Sequence, residues 1–185
     1  MQSLEMRVGI IDMYGIPGRI HHLETTLKSM GYTTVTVDGT RASMVAKVRR
    51  SPIKHWIASG GAHYATDPGS PHIPLDLLTL PNKQFLLICY AMESVLVQLG
   101  YHLRERQDHR RGLIRLGPMV IYRNHRRYFA TEDMPYIAAY NGETMIAAYK
   151  NAILVQFHPE KTVDGRQFIA GWLGPVDLAS YDRGP

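Results

Sequence analysis

Short apolar, β-branched runs alternate with segments of helical spacing through the first half of the chain. Met6–Asp12 is such a run, closed by an acid and a turn at Gly15, Pro17 and Gly18. Ile20, Leu23, Leu27 and Met30 then recur at helical spacing, and Gly31 stands where a helix C-cap belongs. Thr33–Val37 predicts a second strand, Arg41–Val48 a short helix, and His55–Ala58 a third strand running into Ser59-Gly60-Gly61. A Pro/Gly loop (Asp67–Pro74) and a short Leu-rich helix follow. Gln84–Ile88 reads as a buried strand and Ala91–Leu99 as a helix capped by Gly100. Beyond Tyr101 the pattern changes to short β segments: Gly112–Leu116, Met119–Arg123, Arg127–Ala130, Tyr136–Tyr140, Thr144–Tyr149 and Ile153–Phe157. Asn141-Gly142 between two of them signals a tight hairpin, and Gly165–Leu173 predicts a final helix. The whole predicts a three-layer, doubly wound α/β fold with a mostly parallel sheet and an added antiparallel β segment. One domain over residues 1–174 is expected, with a polar tail at 175–185.

Composition narrows the class. A chain of 185 residues, 45% hydrophobic and 20% charged, excludes collagen-like, coiled-coil and wholly disordered proteins. The longest apolar run, Phe85–Met92, is far short of the ~20 residues that span a bilayer, so no membrane association is expected. Met1–Glu5 has no basic region, which predicts no signal peptide. One cysteine makes neither an internal disulfide nor a cysteine-rich metal site, and a cytoplasmic location follows as the default. The net charge of +5 is concentrated: Arg104–Arg127 holds eight arginines against Glu105 and Asp108. Charge confined to one segment does not predict nucleic-acid binding, which would spread it over a face or tail. It reads as a solvated hairpin, or as a docking patch for an acidic partner or a phosphate-bearing ligand.

Candidate chemistry falls where a parallel sheet places its ligands, at the C-terminal ends of strands. Cys89 directly follows the buried strand and directly precedes a helix, the setting of a nucleophile elbow. A helix N-terminus there would favour the thiolate, although a lone cysteine in an apolar run is also an ordinary core residue. His158, in Gln156-Phe157-His158-Pro159-Glu160, follows the last strand with an acid two residues on, a pairing of base and orienter. Gly60 and Gly61 leave backbone N–H groups accessible, as an oxyanion hole requires.

In that order these motifs resemble the class I glutamine amidotransferases over nearly the whole chain. Ser59-Gly60-Gly61-Ala62 is similar to the family's Ser-Gly-Gly-Pro. Ile88-Cys89-Tyr90-Ala91-Met92 resembles Ile-Cys-Tyr-Gly-Met, and Val155–Glu160 matches Val-Gln-Phe-His-Pro-Glu in full. The Tyr-Met context of the cysteine is most similar to the glutaminase part of GMP synthetase. The resemblance implies a flavodoxin-like fold, no cofactor or metal, and glutamine hydrolysis through a thioester on Cys89. His158 would carry the proton and Glu160 orient it. Tyr90 N–H and the Gly60–Gly61 loop would meet the oxyanion. Ammonia would pass to an ATP-dependent synthetase on a separate chain, docked through Arg104–Arg127. Three positions depart from the pattern: Leu87 and Ala91 replace glycines around the cysteine, and Glu93 replaces a substrate-side glutamine. Leu87 is expected to move its strand against the neighbour. Glu93 is similar to the γ-glutamyl hydrolases, a second functional class, and the elbow departures leave a non-catalytic interaction protein as a third.

Overall fold

The computed structural model describes residues 7–174. The expected tail at 175–185, and Met6 at the start of the first expected strand, lie outside them.

In chain order the elements are β1 (Arg7–Asp12), α1 (His21–Ser29), β2 (Thr33–Asp38), α2 (Ser43–Arg50), β3 (His55–Ala58), β4 (Gln84–Ile88) and α3 (Tyr90–Gln98). Then come β5 (Arg104–Leu116), β6 (Met119–Tyr128), β7 (Ala138–Tyr140), β8 (Glu143–Tyr149), β9 (Ala152–Val155) and α4 (Val163–Leu173). Seven strands form one sheet in the order β2-β1-β3-β4-β9-β8-β7. β1, β2, β3, β4 and β9 run parallel, while β8 and β7 add an antiparallel edge.

The apolar runs are buried on both faces, as parallel strands require. Phe85 and Leu87 point into a core with Trp56, Met44, Val48 and Val95, under α2 and α3. Leu86 and Ile88 point the other way, into a core with Leu23, Leu27, Ile169 and Trp172, under α1 and α4. That alternation makes the three layers. Leu87 does not displace its strand: β4 keeps an unbroken register, with Leu87 opposite Ala58 on one side and Leu154 on the other. Small Ala58 leaves the volume that the larger side chain needs.

The largest departure from expectation is in the second half. Gly112–Leu116, Met119–Arg123 and Arg127–Ala130 are not three short strands. β5 has 13 residues and β6 has 10, and they pair with each other as a two-stranded arm separate from the main sheet. A register shift between Glu105 and Arg110 breaks the ladder near its base. The Leu-rich helix is a single 3₁₀ stretch, Leu75–Thr79, and β9 ends two residues earlier than Phe157. The hairpin at Asn141-Gly142 stands as expected, both residues having positive φ (49° and 77°) as a type I′ turn demands. Among the described residues no helix is long and apolar enough to cross a membrane.

The arm folds back over the C-terminal ends of the parallel strands. Leu116 and Ile121 join the α1/α4 core, and Val120 N–H donates to the Asp164 carboxylate of α4 at 2.6 Å. Near its base the arm is pinned by one buried acid. Glu143 Oε1 accepts from Arg106 Nη2 at 2.6 Å, and Oε2 lies 2.8 Å from His125 Nε2. Burial alone would raise the Glu143 carboxyl, but the His125 hydrogen bond and the charges of His125, Arg106 and Arg123 bring it below its ordinary value.

Candidate active site

Strand β4 ends and α3 begins at a single residue, Cys89. Its φ of +50° is rare for a residue with a side chain, and such strain persists where surrounding structure over-determines it. The constraint is visible: Cys89 N–H donates to Val155 O at 2.7 Å, while Cys89 O accepts from Glu93 N–H at 3.0 Å. The residue thus belongs to the sheet on one side and the helix on the other, and its side chain leaves the sharp corner between them.

β9 lies beside β4, so the residues following it arrive next to Cys89. Gln156 Nε2 is 3.8 Å from Cys89 Sγ and donates to Glu93 Oε1 at 3.0 Å. Two residues on, His158 Nδ1 lies 3.1 Å from Glu160 Oε1 with both side chains buried. A carboxylate on Nδ1 fixes the neutral tautomer that leaves Nε2 free to accept a proton. Burial by itself would raise the Glu160 carboxyl, yet its hydrogen bond with His158 holds it below the ordinary value. The arm secures the histidine from above: His158 N–H donates to Tyr122 O at 2.8 Å, and the two rings meet edge-on at 6.5 Å.

The glycine loop closes the third side. A Cβ on Gly60 would come within 3.0 Å of Tyr14 Oη and 3.2 Å of His158 Cε1; one on Gly61 would sit 2.7 Å from the Tyr90 ring. Gly61 therefore needs glycine for close approach, and a side chain at Gly60 would press on the Tyr14 hydroxyl and the His158 ring. Ser59 Oγ braces the loop, accepting from Met13 N–H at 2.9 Å and donating to Gly60 O at 2.8 Å. A cleft lined by Tyr14, Arg19, His22, Gly60, His158 and Lys161 opens beside these groups.

The electrostatics differ from expectation in one respect. The helix N-terminus was expected to favour the thiolate, and the Tyr90 N–H does act that way. Burial, however, raises the thiol well above its ordinary value, and the carboxylates of Glu93 and Glu160 add to it. The thiol holds its proton in the free chain. Tyr14 stays protonated too, pushed up to about 12 by burial and by Cys89 and Glu160.

Cys89, Tyr90, His158, Glu160, Gly60 and Gly61 thus converge at one end of the sheet. Glu93 joins them: it is turned inward, beneath the thiol, and its own carboxyl is raised by burial against the opposing influence of Gln156 and Arg127. Tyr14, Gln156 and Arg127 are neighbours that the sequence reading did not single out. Tyr14 could have been found as the aromatic residue just past the C-terminal end of β1, where ligands of a parallel sheet gather. Gln156 carried a period-2 signal, since it shares a side of the chain with His158. Arg127 carried none, being one arginine among eight.

The arginine-rich segment proves to be two populations. Arg106, Arg123 and Arg127 face inward, over the rings of Tyr128, Tyr140 and Tyr64 respectively. Arg104 is tied to Glu132 and Asp133. The rings of Tyr122 and Tyr128 within the same arm meet His158 and Arg106. What remains outward is Arg111, Arg115 and Arg126, the half-exposed Arg110, and Leu113 at 64% exposure.

No family model and no curated protein matches the chain. Solved structures do. A protein described as a GMP synthase subunit from Thermoplasma acidophilum superposes with a TM-score of 0.67 at 16% identity, over 93% of this chain and 94% of that one. A glutamine amidotransferase from Thermotoga maritima gives 0.58 at 16%, over 91% and 83%. PurLQS from the same organism gives 0.62 at 12%, over 90% and 97%. The chain is an α/β protein of the flavodoxin-like, three-layer class. Within that class it has the fold of the class I glutamine amidotransferases.

Proposed function

We propose that this chain hydrolyses the side-chain amide of glutamine and delivers the ammonia to a synthetase on another chain. The observation that carries the reading is Cys89 at a strained strand–helix corner, +50° in φ, at the same end of the sheet as the buried His158–Glu160 pair and the Gly60–Gly61 loop. In this reading the Cys89 thiol gives its proton to His158 as sulfur attacks the amide carbon. The oxyanion turns toward the Tyr90 N–H and the Gly60–Gly61 loop. His158 returns the proton to nitrogen, the C–N bond breaks, and ammonia leaves a thioester. Water, deprotonated by His158, then cleaves the C–S bond to release glutamate and restore the thiol. Because the thiol is protonated at rest, proton transfer to His158 must accompany attack.

Ammonia-consuming chemistry lies on a partner in this reading, and the outward face of the arm is the docking surface we favour. Its charge suits an acidic partner, and the arm's own hydrogen bond to His158 N–H joins that surface to the site. The likeness to PurLQS and to a GMP synthase subunit supports an ammonia acceptor in nucleotide synthesis. A second reading, hydrolysis of γ-glutamyl peptides without a partner, is favoured by the inward carboxylate of Glu93.

The test is covalent. A glutamine-analogue diazoketone should label wild-type Cys89 stoichiometrically, and Cys89→Ser should lose both labelling and glutamate release while melting like wild type. Absence of labelling and of glutamate release, with a synthetase present, would sink the reading. Faster release from γ-glutamyl peptides than from glutamine would move it to the second.

A further inference from the structure

A second cavity lies at the opposite end of the sheet from Cys89, where β3, β4 and β9 begin. It encloses about 370 Å³ and is lined by Lys54, His55, Asn82, Lys83, Gln84 and Asn151. The backbone fixes these walls: Gln84 N–H donates to Lys54 O, and Phe85 N–H to Asn151 O, both at 2.9 Å. The His55 ring is held edge-on against Trp172 of α4, with 5.3 Å between centroids. Lys83 is 9% exposed, and its Nζ donates to Ser51 O at 2.7 Å and to Ile53 O at 2.8 Å. An ammonium has three N–H donors, so one remains for the cavity. Burial pushes the Lys83 ammonium below its ordinary value, and among the described residues no carboxylate counters it. Burial and the Lys54 charge act on His55 in the same direction. Two lysines and a histidine thus line the cavity, and among the described residues no acid does. A buried cation is normally paired, so this one calls for a counter-charge.

We propose that this cavity binds a small phosphomonoester, whose phosphate is held between Lys83 and Lys54. Such a group carries about −1.5 to −2 charges at neutral pH, which matches two lysines. Ammonium groups are compact point charges that suit a tetrahedral oxyanion. A carboxylate is better met by the planar fork of arginine, and among the described residues no arginine lines the cavity. The volume falls in the lower part of the range for small-molecule sites, roughly 300–1,000 Å³, and leaves room beyond the phosphate for the group that bears it. Asn82 and Gln84 offer amides that both donate and accept, which suits the hydroxyls of a sugar. Free phosphate would satisfy the same lysines but leave that room empty. The site is independent of the hydrolytic reading: the catalytic cleft lies at the C-terminal ends of the strands, and this cavity at their N-terminal ends.

Inorganic phosphate and ribose 5-phosphate are the probes, titrated at neutral pH while the His55 ring is followed by heteronuclear NMR, its signals assigned with His55→Gln. Both should shift the His55 signals saturably, with ribose 5-phosphate binding the tighter. Neither should slow iodoacetamide alkylation of Cys89, which separates this cavity from the cationic cleft beside His158. Lys54→Glu places an acid where the phosphate belongs and should abolish the shift. Lys83→Met should weaken binding roughly tenfold to hundredfold. Because that change also strands the Ser51 and Ile53 carbonyls, a melting curve controls for folding, and Lys54→Glu carries the test if Lys83→Met unfolds. The inference is overturned if millimolar concentrations of both probes leave His55 unmoved, or if Lys54→Glu binds them as wild type does. Saturable shifts with inorganic phosphate the tighter would uphold the anion site and overturn the ester. Shifts that persist in both lysine variants would place the anion elsewhere and make Lys83 a structural brace for the Ser51–Ile53 turn.

Discussion

Replacing Glu93 by glutamine should make the Cys89 thiol react faster with a small neutral reagent. Gln156 Nε2 touches both groups, 3.0 Å from the carboxylate and 3.8 Å from the sulfur. Carboxylate oxygen and sulfur are therefore within about 7 Å, where two unit charges at an effective dielectric near 20 repel by roughly 2.4 kcal/mol. At any pH below the thiol's own pKa, the thiolate fraction should rise about fiftyfold while each thiolate loses roughly sixfold in nucleophilicity. A net acceleration of about tenfold is expected. Glutamine matches the size of Glu93 and can still accept from Gln156, so the packing beneath the thiol is kept. The assay is iodoacetamide alkylation followed by mass spectrometry across neutral and alkaline pH, with melting curves as the control for folding. A pH–rate profile that superposes on wild type, or moves to higher pH, in a normally folded Glu93→Gln would refute the charge argument.

Glu160 titrates in the opposite sense to the thiol. Its folded carboxyl is lowered, so its contribution to stability is present above the unfolded value of about 4.3 and is lost as pH falls through the folded value. Glu160→Gln should flatten that acid limb in circular-dichroism melts and cut glutamate release by on the order of a hundredfold to ten-thousandfold; an unchanged limb and rate would show that His158 needs no orienting acid. Reversing Arg110 and Arg111 together to glutamate should slow association with a synthetase chain and weaken its salt dependence, measured by surface plasmon resonance. An unchanged association rate would remove the arm as the docking surface.

Elements with one unambiguous period were legible in the sequence. His55–Ala58 and Gln84–Ile88 are continuous apolar runs bounded by turns, and both strands begin and end where expected. Cys89 could be placed because the strand Gln84–Ile88 and the helix expected from Ala91 leave only Cys89 and Tyr90 between them. The arm was read in pieces because only its far end, with Leu116 and Ile121, is apolar inward, while Arg106, Arg123, His125 and Arg127 fill the inward positions nearer its base. Alternation between polar and polar carries no signal. The same chemistry concealed half the site. Glu93 could be named from the sequence, but not that it lies under the thiol, since the Gln156 bridge joins two residues from distant parts of the chain. The raised thiol was missed because a helix N-terminus is a local feature. The burial and the Glu160 carboxylate that outweigh it are brought by tertiary structure.

The strand order has a consequence for the history of each molecule. β9, made after every other described strand, belongs inside the sheet, between β4 and β8. Until it arrives, the nascent half that carries Cys89 ends in the bare edge of β4, an invitation to pair with the wrong strand. The strand that covers that edge is also the one followed by Gln156 and His158. Closing the sheet and bringing Gln156 and His158 to the end of β4 that carries Cys89 are therefore a single late event in synthesis.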